Sequence, residues 1–113
     1  MTVYVDDMLR PARVGRGRPA KWSHLMADTS EELETFARRL GLDPTWLQHA
    51  GRPTEHYDVT ATVREQALRL GAHPIRYGRE GGLYTLLKAA RARGDAAAAA
   101  EYETLLAAER ARP

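Results

Sequence analysis

The chain has 113 residues, 43% of them hydrophobic, with a formal net charge of +2 and no cysteine. This length suits one domain with one core over residues 1–113, and the lack of cysteine excludes disulfides, thiolate metal sites and thiol nucleophiles. A charge so close to neutral does not by itself indicate nucleic-acid binding. Because no apolar run reaches the roughly 18 residues of a membrane span and no signal pattern opens the chain, we expect a cytoplasmic protein that does not bind membranes.

Residues 3–7, Val-Tyr-Val-Asp-Asp, predict the first strand and the first part of a site. A short run of β-branched and aromatic residues is typical of a buried strand. The ligand sites of open α/β sheets lie at the carboxyl ends of the strands, which is where Asp6 and Asp7 fall. Two adjacent carboxylates gain nothing from packing in a core, so both are candidate site residues.

Residues 8–21 predict a basic loop, because Pro11, Gly15, Gly17 and Pro19 prevent helix and strand periods from forming. Residues 8–22 carry five basic side chains and no acid: Arg10, Arg13, Arg16, Arg18 and Lys21. Glycines allow close backbone approach and guanidinium groups match phosphate oxygens, so the loop is a candidate cover for a phosphate-bearing ligand. The alternative is a solvated, mobile connection.

Residues 22–27 predict a second strand, and residues 30–40 predict the first helix. The segment Thr29-Ser30-Glu31-Glu32 fits a capping box, four apolar side chains follow at helical spacing, and Gly41 ends the helix. After a turn, residues 45–48 predict a short strand.

A second unit of the same kind follows. His56-Tyr57-Asp58 precedes a second helix, which we expect to begin near Thr60 or Thr62 and to end at Gly71. An offset of thirty residues repeats the acid, the helix and its glycine stop. We attribute this likeness to two similar helix exits rather than to a duplication.

Residues 78–113 predict a C-terminal helical hairpin beside an α/β core over residues 1–77. A helix follows Gly81-Gly82, Gly94-Asp95 provides a stop and a new N-cap, and an alanine-rich helix runs from 96 to about 110. This last helix needs a partner to be stable. Packing back on the preceding helix is the expected outcome, and a homodimer through the same apolar stripe is the alternative.

A mostly parallel sheet with flanking helices would bring the polar residues of these segments to one edge. Carboxylates clustered with neutral imidazoles are the ligands that Mg²⁺, Mn²⁺ or Zn²⁺ require. We therefore predict a divalent-metal site whose ligands and catalytic groups are Asp6, Asp7, His24, His56 and Asp58. The predicted phosphate-binding residues are Arg10, Arg13 and Arg64. For Asp28 and Asp58 the alternative is a helix N-cap, where an acid is favoured without any ligand.

These residues lead to one functional hypothesis and two alternatives. The hypothesis is a metal-dependent hydrolase acting on a phosphoester, a nucleotide or a nucleic acid. The alternatives are a non-catalytic module that binds a nucleotide or nucleic acid through residues 8–22, and a small protein-interaction domain that recruits a partner through its hairpin. The sequence contains no Walker loop, dinucleotide fingerprint, His-Glu-x-x-His motif or nucleophile elbow that would fix the reaction.

The ordered motifs of residues 2–75 resemble a family of short bacterial and phage proteins classed as a domain of unknown function. The resemblance is carried by Val-Tyr-Val-Asp-Asp-Met at 3–8, His-Leu-Met-Ala-Asp-Thr at 24–29, Glu-Glu-Leu at 31–33, Trp-Leu-Gln at 46–48 and His-Tyr-Asp at 56–58. It implies that the same Asp and His positions recur in the family, and it implies no particular reaction. Glu34 stands where the family pattern has a histidine and Val63 where a lysine is common, so one possible ligand and one possible phosphate contact are absent.

Overall fold

The computed structural model describes residues 2–13 and 19–113. Its strands are β1 (Val3–Val5), β2 (Arg10–Ala12), β3 (Ala20–Ala27), β4 (Tyr57–Thr60) and β5 (His73–Pro74). Its helices are α1 (Ser30–Arg39), α2 (Ala61–Arg69), α3 (Arg79–Ala92) and α4 (Ala96–Arg110), with a 3₁₀ turn over Pro44–Trp46. The strands form one sheet with helices on both faces. Residues 14–18, which include Arg16 and Arg18 of the predicted basic loop, lie outside the described residues.

The sheet is mostly antiparallel, so the prediction of a mostly parallel sheet is wrong. The long strand β3 pairs antiparallel with β1, β2 and β4. Among the described strands, β5 alone makes a parallel pair, and its partner is β1. A parallel neighbour needs a crossover of a dozen or more residues, usually a helix. In the described residues no helix separates β1, β2 and β3, so β1 and β2 each pair antiparallel with β3.

Part of the predicted basic loop is strand. Arg10, Pro11 and Ala12 form β2, and β3 begins at Ala20. The proline is compatible with this position because, among the described strands, β2 pairs with β3 alone and is an edge strand, where proline is tolerated.

The predicted strand over residues 45–48 is also wrong. The carboxylate of Asp43 accepts a hydrogen bond from the backbone N–H of Thr45 at 2.9 Å, and Pro44 stands at the first position of the 3₁₀ turn. A side-chain cap followed by proline favours this turn over an extended chain. Gln48 alone joins the sheet, through an isolated antiparallel bridge to His56.

Both predicted central helices are confirmed, but their caps are threonines. Thr29 accepts a hydrogen bond from the backbone N–H of Glu32, and Thr60 accepts one from the backbone N–H of Val63. Neither Asp28 nor Asp58 is therefore the N-cap.

Both helices end as the sequence predicts. Gly41 and Gly71 follow them with φ angles of +75° and +103°, which glycine adopts without the strain that a side chain would bring.

The two faces of the sheet are covered to different extents. Leu25 and Ala27 point to the face on which α1 and α2 pack, while Met26 and Tyr4 point to the opposite face and lie under α3 and α4. His24 shares the face of Met26 but is not in the apolar cluster under the hairpin. This half-covered face is where polar side chains from β3 and β4 reach solvent.

The C-terminal residues form the predicted helical hairpin. α3 begins at Arg79, so Gly81 and Gly82 lie inside it, and Asp95 caps α4 by accepting a hydrogen bond from Ala98. The apolar side chains of α4 pack with those of α3 within the same chain, and the homodimer stays a prediction. No helix in the described part of the chain has the length and apolar character that a membrane span requires.

The hairpin packing can be tested with two neighbouring leucines. On α3, Leu87 is 4% exposed and faces the apolar cluster, while Leu86 is 46% exposed. Leu87→Ala is expected to lower the free energy of unfolding by about 2 to 5 kcal/mol, because it leaves a cavity in the core. Leu86→Ala, the matched control, is expected to change it by less than about 0.5 kcal/mol. Urea unfolding of both variants measures the difference, and equal losses would contradict the packing.

Candidate metal centre

Three predicted ligands meet on the half-covered face. His24 lies on β3 directly opposite Asp58 on β4, and His56 precedes Asp58 by two residues, so all three side chains point to the same side. The Asp58 Oδ1 atom lies 3.4 Å from His56 Nε2 and 4.0 Å from His24 Nε2. One donor atom from each residue lies within 4.8 Å of the other two. The antiparallel register of β3 and β4 therefore builds the cluster.

Asp6 fixes the ring of His24 from behind. The Asp6 side chain is buried, and its Oδ2 atom lies 2.6 Å from His24 Nδ1. The other carboxylate oxygen accepts hydrogen bonds from the backbone N–H groups of His24 at 3.0 Å and Met8 at 3.2 Å. The Arg64 side chain donates to the Asp6 carbonyl at 2.8 Å. Asp6 is thus an orienting residue, separated from the donor cluster by the imidazole.

These contacts shift two pKa values in opposite directions. Burial would raise the pKa of Asp6, but the hydrogen bonds from the His24 ring and from the backbone of His24 and Met8 outweigh it and lower that pKa. The hydrogen bond to Asp6 raises the pKa of His24 against the effect of burial. Since Asp6 is ionised, it can only accept, and His24 Nδ1 must carry the proton. In the neutral imidazole, the lone pair is then on Nε2 and faces Asp58.

His56 has the same tautomer for a different reason. Its Nδ1 atom lies 2.7 Å from the backbone carbonyl oxygen of Thr54, which can only accept a hydrogen bond. Nδ1 therefore carries a proton, and in the neutral imidazole the Nε2 lone pair faces Asp58. The rings of His24 and His56 pack edge to face with their centroids 5.0 Å apart.

The Asp58 carboxylate is oriented as well. The side-chain amide of Gln48 donates a hydrogen bond to Asp58 Oδ2, which leaves Oδ1 toward the two imidazoles. The Asp58 side chain is 38% exposed, so the cluster is open to solvent on one side.

The cluster has the donor arrangement of a metal site. When both imidazoles are neutral, two Nε2 lone pairs and one carboxylate oxygen face the same volume. In metal sites, each ligating histidine donates its other ring N–H to a carboxylate or backbone carbonyl, which is the role of Asp6 for His24 and of Thr54 for His56. Ligand atoms around a tetrahedral zinc are roughly 3.3 to 3.6 Å apart, given bonds of about 2.0 to 2.2 Å, so small shifts of these side chains would suffice.

Asp7 does not join the donor cluster. Its carboxylate accepts a hydrogen bond from the backbone N–H of Tyr77 at 2.7 Å. The Tyr77 ring then lies beside His24, with the centroids 5.9 Å apart and the ring planes 14° from parallel. The guanidinium carbon of Arg10 lies 5.9 Å from the centre of the Tyr77 ring.

The three predicted phosphate-binding arginines are not gathered at one point. Arg10 is exposed beside Tyr77, and Arg13 is exposed beyond the end of β2. Arg64 is largely buried and lines a separate groove of about 490 Å³, together with Asp7, at the carboxyl ends of β1 and β5. Arg10 is therefore the one of the three that lies beside the His24 side of the cluster.

Sequence reasoning missed the residues that hold the ligands in place. Gln48 lies in the Trp-Leu-Gln motif, to which the sequence assigns no role. The backbone carbonyl of Thr54 leaves no sequence signal, because every residue has a backbone carbonyl. Tyr77 was also missed, since it lies in a turn between β5 and α3 with no neighbouring motif.

Comparisons with known proteins identify a family. A family model described as a protein of unknown function (DUF4031) matches residues 3–90, from β1 into α3. No curated protein and no solved structure matches the chain.

The pairing of Asp6 and His24 is expected to stabilise the metal-free protein most within a limited range of pH. The lowered pKa of Asp6 contributes stability above its ordinary value of 3.8, and this is lost as the pH falls through the lowered pKa. The raised pKa of His24 contributes stability below its ordinary value of 6.5, and this is lost as the pH rises through the raised pKa. The combined contribution is therefore largest between these two ordinary values.

Asp6→Asn is expected to remove this contribution. The free energy of unfolding should fall by about 2 to 4 kcal/mol near pH 5.5, because a buried charged hydrogen bond is broken, and by less near pH 9. Urea unfolding in chelator across this pH range makes the measurement. A loss that does not vary with pH would contradict the assigned protonation states.

Proposed function

The chain belongs to the DUF4031 family, and on that premise we propose that it is a divalent-metal-dependent phosphoester hydrolase with His24, His56 and Asp58 as its metal ligands. The observation that carries the proposal is the orientation of the donors. Two imidazole Nε2 atoms and one carboxylate oxygen face a single volume, and each of the three side chains is held by a further hydrogen bond on its other side.

The ligand types narrow the choice of metal. Imidazole nitrogen suits Zn²⁺ and other transition metals, whereas Mg²⁺ favours oxygen ligands, so Zn²⁺ or Mn²⁺ is favoured over Mg²⁺. Two histidines and one carboxylate leave at least one coordination position for water, as in hydrolytic zinc sites. The exposure of Asp58 supports a site that is open to substrate. A bound metal would supply an activated water and stabilise charge on the substrate oxygens.

The proposed reaction consumes one water for each ester bond. The water oxygen forms a new bond to phosphorus while the bond from phosphorus to the leaving oxygen breaks. One proton of the water is released, and the leaving oxygen takes up one proton to become an alcohol. Neither oxidant nor reductant is needed.

A phosphoester is the proposed substrate because positive charge lies beside the donor cluster. The exposed guanidinium of Arg10 is close enough to His24 to act on its pKa, and arginine pairs with phosphate through two parallel hydrogen bonds. Arg10 would bind the phosphate of a substrate at this site. Oxygenases that use Fe²⁺ bind it with the same set of two histidines and one carboxylate. The metal that the protein selects distinguishes such an oxygenase from a hydrolase.

Metal binding is expected to stabilise the fold. At a free metal concentration 100 times the dissociation constant, stability should rise by about 2.7 kcal/mol. Thermal melts in Zn²⁺, Mn²⁺, Mg²⁺ and Fe²⁺ measure the change. His24→Ala, His56→Ala and Asp58→Ala should each abolish it, while His73→Ala, an exposed histidine on β5, should retain it. No response of the wild type to any metal, or a response to Fe²⁺ alone, would overturn the proposal.

Hydrolysis gives the second test. The zinc- or manganese-loaded protein is expected to cleave bis(4-nitrophenyl) phosphate, and the activity should disappear in His24→Ala. Asp6→Asn, which removes the orienting acceptor behind His24, should weaken metal affinity or activity by roughly 10- to 100-fold. His73→Ala serves as the control at full activity. Metal-independent cleavage, or activity that survives in His24→Ala, would contradict the assignment.

A further inference from the structure

We propose that Tyr77 is a stacking platform for the base of a nucleoside phosphate, whose phosphate group is bound at the neighbouring metal centre. This inference rests on the proposed function and names the substrate class of the same site. The juxtaposition that carries it is an exposed aromatic ring, an exposed arginine and the proposed ligand His24, all on the half-covered face of the sheet.

Tyr77 lies outside the apolar core of the described residues. It is 48% exposed and belongs to neither of the two apolar clusters. The chain has only eight Phe, Trp and Tyr residues, five of them tyrosines. An aromatic ring that stays exposed to water does not provide the hydrophobic stabilisation that a buried ring would. A ring of this kind beside a site for phosphate is what base stacking uses, because every base has a π-face.

The turn that carries the ring is nevertheless held in place. Asp7 accepts a hydrogen bond from the Tyr77 backbone N–H at 2.7 Å, and the preceding Ile75 donates from its N–H to the carbonyl of Val5 at 2.9 Å. The turn is therefore tied to the end of β1 at two points. This arrangement also gives a role to Asp7, which the metal centre does not use.

Tyr77 lies directly beside one of the proposed ligands. Its ring lies beside the His24 imidazole, nearly parallel to it at a centroid separation of 5.9 Å. A base on Tyr77 would thus lie next to His24, one of the proposed metal ligands. Arg10 lies 5.9 Å from the Tyr77 centroid and shares the face of β3 that carries His24, because it pairs with Trp22 two residues away. Arg10 can therefore contact the base or the phosphate.

The test compares ligands with and without bases. One pair is a phosphorothioate hexamer of thymidine and the abasic hexamer with the same backbone, and the other is adenosine 5′-phosphorothioate and inorganic thiophosphate. Dissociation constants are measured by calorimetry on the metal-loaded protein and on the protein in chelator. Wild type is expected to bind at least one base-bearing ligand about 5- to 150-fold more tightly than its baseless match, as stacking on one aromatic ring provides.

Variants of Tyr77 assign the preference to the ring. Tyr77→Ala and Tyr77→Leu should both remove the preference for bases, while Tyr77→Phe should keep it. All three should retain wild-type affinity for the metal, since the ring is not a ligand. Tyr102→Ala, a half-buried tyrosine on α4, is the control that should leave the preference unchanged.

The outcomes separate this inference from the proposed function. Equal affinity for ligands with and without bases, or a preference that survives in both Tyr77→Ala and Tyr77→Leu, would overturn the stacking platform even if the metal binds. Failure of the wild type to bind metal would overturn the proposed function, while a base preference in chelator that depends on Tyr77 would still support stacking. Preference for bases in the hexamer pair alone would identify a nucleic-acid strand as the source of the nucleoside phosphate, and preference in the mononucleotide pair a free nucleotide.

Discussion

The candidate site depends on the hydrogen bonds of the buried Asp6 carboxylate. Asp6 directly follows β1, and one oxygen of its side chain accepts hydrogen bonds from the backbone N–H groups of His24 and Met8. This oxygen takes the place that a backbone carbonyl of a neighbouring strand would have beside β3. The other oxygen holds the imidazole of His24. A buried charge is costly unless it is fully hydrogen-bonded, and these three bonds satisfy it. The Asp6 carboxylate therefore binds both the backbone of β3 and the ring of His24, and it sets the tautomer of this proposed ligand.

The location of the site follows from how the two faces of the sheet are covered. α1 and α2 pack on one face, while the α3–α4 hairpin packs over Tyr4 and Met26 on the other. His24 lies two residues before Met26 on the same face of β3, just beyond the apolar cluster. The hairpin thus buries the apolar part of the face and leaves the polar part accessible, with Asp58 38% exposed.

Local patterns predicted the elements better than their arrangement. The capping segment at Thr29 and the glycine stops at Gly41 and Gly71 gave both central helices, because caps and stops are short-range effects that a sequence displays directly. The direction of strand pairing depends on how the chain returns between strands, and β2 was hidden in a stretch rich in glycine and proline. The error over residues 45–48 has a similar origin, since the cap by Asp43 and the proline after it outweighed the strand preference of Trp46.

The candidate site residues can be predicted from the sequence, but their roles cannot. His24, His56 and Asp58 stood out by chemical type, and the register of β3 and β4 brings them together even though the sheet is antiparallel. Whether a carboxylate binds a metal, orients a ligand or holds a turn depends on contacts across the sheet, which separate Asp58 from Asp6 and Asp7. The geometry of Gln48, Thr54 and Tyr77 arises from the fold and has no counterpart in local sequence.

Anomalous diffraction from crystals grown with Zn²⁺ or Mn²⁺ tests most directly whether His24, His56 and Asp58 form one metal centre. We predict a single strong anomalous peak bonded to His24 Nε2, His56 Nε2 and an oxygen of Asp58, at about 2.0 to 2.2 Å for zinc, with Asp6 still hydrogen-bonded to His24 Nδ1. Crystals that show no peak among these three side chains, or a metal bound elsewhere while the His24–Asp58 cluster holds only water, would contradict it.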